Sequence, residues 1–164
     1  MTSLEKWRKQ AFSLRYPIST KAKTTATWTR LSGIGIMVSG HNKPKLTLVV
    51  GATDNVERYA YRAAEMLQNK GFDFIPIGIK KGRVLGKEIL DLRQIPDLKE
   101  IHTITLYLGP QNQSEWIDYL IGLQPKRIIF NPGTENLEFF PKAIAAGIDV
   151  LEACTLVMLT TGQF

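Results

Sequence analysis

The chain has 164 residues, enough for one hydrophobic core of ordinary size and too few for two substantial domains. No apolar run approaches the roughly 20 residues that a membrane-spanning helix needs, which excludes a membrane-embedded protein. Its single cysteine, Cys154, excludes an internal disulfide and favours a reducing compartment, so we predict a cytoplasmic location.

Positive charge is concentrated at the start of the chain. Residues 1–45 contain nine Lys or Arg and one acid, a net charge of +8, whereas residues 46–164 contain 12 basic and 14 acidic side chains, a net charge of −2. Any electrostatic affinity for nucleic acid or an anionic membrane therefore belongs to the N-terminal segment. For the remaining domain we expect neither nucleic acid nor membrane as a partner, and the sequence leaves the oligomeric state open.

Residues 1–44 are predicted to be a basic, poorly ordered N-terminal extension. They are rich in Lys, Arg, Thr and Ser, with a single acidic residue. Three interpretations are open: an unstructured tail or non-native sequence upstream of a true start at Met37, a targeting leader, and a functional arm.

From residue 45 onward, apolar strands alternate with helices. The strands are predicted at about 46–50, 72–78, 102–108, 126–130 and 148–152. The helices are predicted at about 57–70, 111–123 and 135–146. This alternation predicts one α/β domain over residues 45–164, built on a Rossmann-like, doubly wound parallel sheet with helices on both faces.

The first predicted strand, LTLVV, runs directly into Gly51-Ala52-Thr53 and then into a predicted helix. Gly51 has no Cβ, the helix N-terminus offers unpaired N–H groups, and Arg58 and Arg62 lie one turn apart. This arrangement suits a phosphate group. A tight turn whose glycine serves only the backbone is the plain alternative.

Ligands of doubly wound sheets bind at the carboxyl ends of the strands. Small, amide and hydroxyl residues with two lysines follow the five predicted strands: Gly51-Ala52-Thr53, Gly78-Ile79-Lys80-Lys81, Gly109-Pro110, Asn131-Pro132-Gly133-Thr134 and Ala153-Cys154. Each segment alone is also ordinary turn chemistry, but together they suit a phosphorylated ligand. Lysines follow the second strand where an NAD site has an acidic residue, which favours NADP or coenzyme A over NAD.

Groups that could catalyse a reaction are weak in this sequence. His102 begins a strand at the edge of the sheet opposite the predicted crevice, and the chain has neither a Cys/His cluster nor a G-x-S-x-G nucleophile elbow. We therefore predict no catalytic residue and no metal site. The alternative is a small NADP-dependent or acyl-CoA-processing enzyme that uses Cys154 or Glu152.

The residues also resemble a known family. Gly51-Ala52-Thr53, followed by Asn55, Glu57-Arg58 and Tyr61-Arg62, resembles the G-A-S/T…N-x-E-R-x-S-Y-R opening of the small, stand-alone CoA-binding proteins related to the nucleotide-binding domain of the succinyl-CoA ligase α-subunit. Later landmarks of that family resemble Pro76, Lys80, Val84-Leu85-Gly86, Pro110, Gly133, Asn136 and Cys154. Asp54 replaces a proline of the family pattern and adds a negative charge near the expected phosphates.

This resemblance implies a domain that binds coenzyme A or an acyl-CoA as its ligand, without catalysis of its own. It sets the CoA pyrophosphate over the Gly51-Ala52-Thr53 turn and the helix behind it, with Lys80 near the nucleotide end and Pro110 at the far side. The binding residues it implies are Gly51, Ala52, Thr53, Arg58, Tyr61, Arg62, Pro76, Lys80, Pro110 and Gly133.

Overall fold

Strand β1, Thr47–Val50, lies inside a six-stranded sheet and is buried along its whole length. The computed structural model describes residues 45–164, so the predicted N-terminal extension over residues 1–44 lies outside the described residues. A mainly apolar run suits this central position, because neighbouring strands cover both edges of β1 and helices cover both faces.

The other elements follow β1 in alternation. The strands are β2 (Phe74–Gly78), β3 (Arg83–Val84), β4 (Lys87–Glu88), β5 (Leu90–Asp91), β6 (Thr103–Leu106), β7 (Arg127–Phe130) and β8 (Asp149–Glu152). The helices are α1 (Tyr59–Asn69), α2 (Ile117–Gly122), α3 (Phe139–Ala145) and α4 (Thr155–Thr161). Short 3-10 helices cover Leu92–Gln94, Pro110–Asn112 and Ser114–Trp116. None of the helices described over residues 45–164 is long and apolar enough to cross a membrane.

All six strands of the sheet run parallel, in the order β5-β2-β1-β6-β7-β8. The chain first builds outward from β1 to β2 and β5, and then returns to add β6 on the other side of β1. The order therefore reverses between β1 and β6, which defines the switch point of a doubly wound fold. The predicted Rossmann-like class is confirmed, and β5 and β8 form the two edges of the sheet.

Two apolar layers sandwich the sheet. Alternate residues of each strand point to opposite faces, so Leu48 and Val50 pack in the layer beneath α2 and α3, while Val49 packs in the layer beneath α1 and α4. Phe130 fills the first layer and meets the ring of Phe139 edge-on at 5.2 Å. Helices thus cover both faces, as predicted.

The segment between β2 and β6 contains elements that the sequence analysis did not assign. Strands β3 and β4 form a hairpin whose two loop residues, Leu85 and Gly86, have φ angles of 49° and 82°. Positive φ at both loop residues is what a type I′ turn requires. Strand β5 has only two residues, which pair with Ile77 and Gly78 of β2. Helix α4 was also not predicted.

Two predicted helices are shorter than expected. The helix predicted at 111–123 is two 3-10 helices followed by α2. The helix predicted at 135–146 begins only at Phe139, because the side chain of Asn136 accepts hydrogen bonds from the N–H groups of Glu138 and Phe139. An asparagine that binds these N–H groups favours a helix start after it rather than before it.

Candidate ligand-binding cleft

A cleft of about 400 Å³ opens at the carboxyl ends of β1, β2 and β6, where the strand order reverses. Ligands of doubly wound sheets occupy this position. The cleft is lined by the loops after β1, β2, β6 and β7 and by the start of α1. Six of the predicted binding residues line it: Gly51, Ala52, Thr53, Arg58, Lys80 and Gly133.

The other four predicted binding residues do not line the cleft. Pro76 is buried within β2, opposite Val49 of β1. Tyr61 packs against the apolar layer beneath α1 and α4, and Arg62, the next residue of α1, is exposed. Pro110 is exposed at the start of a 3-10 helix. Their assignment as binding residues stays a prediction, without support from the shape of the cleft.

Gly51 allows β1 to pass close to the end of β6. Its φ is +88°, and a Cβ on it would lie 2.9 Å from the carbonyl carbon and oxygen of Tyr107. Atoms this close overlap, so no other residue fits here without movement of the backbone. A glycine at this position could give a phosphate access or serve only the backbone, and the close approach to Tyr107 supports the second reason.

The N–H groups of Gly51 and Ala52 are already used within the sheet. Both donate to the carbonyl oxygen of Ile77 in β2, at 2.9 and 3.0 Å. These two N–H groups are therefore already paired, so a phosphate placed over the turn would need other donors. Thr53 is the first residue after β1 whose N–H has no acceptor within residues 45–164.

Local hydrogen bonds shape the loop that leads into α1. The Asn55 side chain accepts from the N–H of Glu57 at 2.9 Å, and the Asn55 carbonyl accepts from the N–H of Arg58 at 3.1 Å. Helix α1 consequently begins at Tyr59. The N–H groups of Tyr59 and Ala60 have no acceptor within the described part of the chain, and both residues line the cleft.

Two cations line the same cleft. Arg58 and Lys80 are exposed and form no ion pair with another residue of the 45–164 region. Asp54, which raised the concern of a negative charge near the ligand, does not line the cleft; its carboxyl carbon lies 3.0 Å from the point that a Cβ on Gly82 would occupy. The lining therefore combines unpaired N–H groups with positive side chains.

An ion pair braces the loop after β2. Arg93 donates to both carboxylate oxygens of Asp91 at 2.8 Å and also to the carbonyl oxygen of Ile79 at 3.4 Å. The hydrogen bond from the Arg93 side chain holds the pKa of Asp91 below its ordinary value. The backbone just before Lys80 is thereby tied to the end of β5.

A tight turn forms the far wall of the cleft. The N–H of Thr134 donates to the carbonyl oxygen of Asn131 at 2.9 Å, and Gly133 between them has a φ of +88°. Pro132 precedes this glycine, so the four residues match a type II turn. The carboxylate of Glu135 accepts the N–H of Gly133 at 2.8 Å.

Tyr107 also lines the cleft and was missed by the sequence analysis. It lies next to Thr105 and Thr155, whose hydroxyl oxygens are 2.7 Å apart. Burial raises the pKa of Tyr107 to about 12, against a smaller opposing effect of the two hydroxyls. The phenol is therefore uncharged at neutral pH and adds no negative charge to the cleft.

The residues of the enzyme alternative lie elsewhere. Glu152 ends the edge strand β8, Cys154 follows it, and neither lines the cleft. His102 precedes β6 at the amino end of the strand, opposite the cleft, where its Nδ1 lies 2.9 Å from the Thr103 hydroxyl. Within residues 45–164, no three His, Cys, Asp or Glu side chains are grouped in a way that could hold a metal ion.

Comparison with known proteins agrees with this architecture. The CoA binding domain family matches residues 45–160. The crystal structure of an uncharacterized protein is 50% identical, with a TM-score of 0.72, over 75% of this chain and 100% of that chain. A hypothetical protein from Pyrococcus horikoshii OT3 is 28% identical, with a TM-score of 0.62, over 71% of this chain and 82% of that chain.

A more distant similarity concerns the fold alone. An acetyl-coenzyme A synthetase from Ca. Korarchaeum cryptofilum, in complex with phosphate and ADP, is 17% identical with a TM-score of 0.53, over 68% of this chain and 26% of that chain. None of the curated proteins matches. The family match covers more than half of the chain and confirms the resemblance seen in the residues: the chain belongs to the CoA-binding domain family.

Proposed function

We propose that this protein binds coenzyme A or an acyl-CoA in the cleft at the strand carboxyl ends, without catalysis of its own. One observation carries the proposal: the unpaired N–H groups of Thr53, Tyr59 and Ala60 line the same cleft as Arg58 and Lys80. A helix N-terminus with free N–H groups binds anions, and cationic side chains strengthen each hydrogen bond to a phosphate. A pyrophosphate matches this set of donors.

The proposal assigns the two ends of the ligand to opposite sides of the pyrophosphate. The pyrophosphate lies over the Thr53 loop and the start of α1, and the nucleotide end, with its 3′-phosphate, lies beside Lys80. The pantetheine arm then extends past the loops after β6 and β7, toward Gly133. NAD has no phosphate to match Lys80, so the proposal ranks it below CoA.

The enzyme alternative has less support. Catalysis through Cys154 or Glu152 requires the side chain to reach the ligand, and neither residue lines the cleft. We also propose a cytoplasmic location. Because residues 46–164 carry a net charge of −2, we propose neither nucleic acid nor a membrane as a partner of residues 45–164.

Isothermal titration calorimetry with CoA, dephospho-CoA, NADP and NAD tests the proposal. Dephospho-CoA lacks the 3′-phosphate and should bind more weakly than CoA by about 1 kcal/mol, the contribution of one hydrogen bond, or by somewhat more where that hydrogen bond is charge-assisted. Lys80→Ala should lose most of this preference. Arg58→Ala should weaken the binding of CoA and of dephospho-CoA equally, because we place Arg58 at the pyrophosphate that both ligands contain.

Lys70→Ala is the matched control, since it removes the same charge from an exposed residue that follows α1, away from the cleft. It should leave all four affinities unchanged. Equal binding of CoA and dephospho-CoA by the unaltered chain would contradict the role of Lys80. Tighter binding of NADP or NAD than of CoA would overturn the ligand assignment and favour the alternative of a small NADP-dependent enzyme.

A further inference from the structure

Gln113 connects the two loops that form the far side of the cleft. Its side chain is fully buried, with 0% exposure. Its Nε2 donates two hydrogen bonds of 2.7 Å each, one to the carbonyl oxygen of Leu108 and one to that of Thr134. Leu108 follows β6 and Thr134 follows β7, and both line the cleft.

The orientation of this amide is fixed from its other end. Gln113 Oε1 accepts a hydrogen bond of 3.0 Å from Asn136 Nδ2. The oxygen of the Asn136 side chain is held in turn by the N–H groups of Glu138 and Phe139 at the start of α3. A reversal of the Gln113 amide would break all three of its hydrogen bonds. It would leave the buried Thr134 carbonyl and the half-buried Leu108 carbonyl without this partner, which is costly.

We infer that Gln113 is a positioning residue, which sets the separation of the loops after β6 and β7 and so the width of the part of the cleft that takes the pantetheine arm. This inference rests on the proposed function, which sets the nucleotide end at Lys80 on the β2 side. Residues of both loops line this far part: Leu108, Gly109, Pro132, Gly133 and Thr134. Because three of these five residues are Gly or Pro, the distance between the two backbones strongly affects what fits there.

The variant Gln113→Glu tests this role. It keeps the length and shape of the side chain but replaces both N–H donors by an oxygen, so the two loop carbonyls lose their shared partner. The two ligands to compare by calorimetry are CoA and adenosine 3′,5′-bisphosphate, a nucleotide fragment of CoA without the pantetheine arm. CoA should bind about tenfold more weakly, the effect of losing interactions worth one to two hydrogen bonds. The bisphosphate should bind as it does to the unaltered chain.

Gln124→Glu is the matched control. It makes the same substitution at an exposed glutamine that donates only to the nearby Ile121 carbonyl, just beyond the end of α2. This residue precedes the amino end of β7, away from the cleft. The affinities for CoA and for the bisphosphate should therefore not change.

A second variant addresses the case in which Gln113→Glu does not fold. Asn136→Asp keeps the oxygen that accepts from Glu138 and Phe139 but replaces the donor to Gln113 Oε1 by a carboxylate oxygen. The Gln113 amide should then turn its N–H groups toward that carboxylate and away from Leu108 and Thr134. The same selective loss of CoA affinity is expected.

Hydrogen exchange of the unaltered chain gives a third measurement, independent of any variant. CoA should slow exchange at residues 108–109 and 133–134, and the bisphosphate should not. Equal losses of affinity for CoA and the bisphosphate in a folded variant would mean that Gln113 only stabilises the fold. Unchanged affinities would also overturn the inference, while leaving the proposed function in place. Failure of the unaltered chain to bind CoA would overturn both.

Discussion

His102 lies in a positively charged environment at the amino end of β6. Burial is the main cause that lowers its pKa, and the charges of Arg127, Lys45 and Lys126 lower it further. The imidazole is therefore harder to protonate in the folded chain than in the unfolded chain. Its Nδ1 lies next to the Thr103 hydroxyl, so the neutral ring has a hydrogen-bond partner.

We predict a loss of stability in mild acid that depends on His102. Because its pKa is lowered by folding, the unfolded chain binds the extra proton first, and stability falls as the pH drops below about 6.5 and through the lower folded value. His102→Gln keeps a polar partner for Thr103 and should flatten the dependence. Urea unfolding of both chains at a series of pH values measures this. Parallel curves would show that other groups cause the loss.

Some individual binding residues could be predicted from the sequence, and others could not. Apolar runs mark the strands, so residues that directly follow them, such as Thr53, Lys80 and Gly133, could be assigned to the cleft from the sequence. The sequence could not show which N–H groups are free. The N–H groups of Gly51 and Ala52 donate to the carbonyl of Ile77, which belongs to a different strand. This contact between strands determines which N–H groups remain unpaired, and the local sequence does not indicate it.

At the scale of single elements, the turn after β1 depends on the missing side chain of Gly51. We predict that Gly51→Ala lowers the free energy of unfolding by about 2–4 kcal/mol, from the positive φ and from overlap with the Tyr107 backbone. Gly71→Ala is the control, because its φ is +77° but nothing lies within 4 Å of the added Cβ. It should cost only about 1 kcal/mol. Urea unfolding with unchanged m-values gives both numbers, and equal losses would contradict the overlap.

Ile95 ends a 3-10 helix in an unfavourable conformation. It has a φ of 46°, which a β-branched residue rarely adopts, and the residue is 57% exposed. Ile95→Asn should therefore raise the free energy of unfolding by about 1 kcal/mol, since asparagine tolerates this conformation. Ile144→Asn, at an exposed helical position of α3, should give no gain. Thermal unfolding of each variant and of the unaltered chain measures these changes. A melting temperature of Ile95→Asn below that of the unaltered chain would contradict the prediction.

Elements differed in how far the sequence could predict them. Strand β1 was predicted because a strand buried on both faces requires a mainly apolar run. Strand β5 was not, because two residues are too few to show a pattern. The late start of α3 depends on Asn136, whose side chain also binds Gln113, a contact between separate loops.

At the scale of the whole molecule, residues 46–164 supply side chains to both apolar layers. We propose that residues 1–44 are an extension rather than part of this domain. A shortened chain that begins at Met37 should then melt within about 4 °C of the full chain, a shift that corresponds to about 1 kcal/mol in a domain of this size. Differential scanning calorimetry measures the two midpoints. A much larger drop would show that the missing residues pack on the domain.

The edge strand β8 has a consequence for how copies of the chain meet. It begins with Asp149 and ends with Glu152, and both are exposed. A second β8 pairing in parallel register would set each acid against itself, and an antiparallel one would set Asp149 against Glu152. Like charges directly opposite each other are destabilising, and charged edges discourage added strands. Within residues 45–164 no further strand pairs with β8, and its charges at neutral pH thus disfavour growth of the sheet into an aggregate.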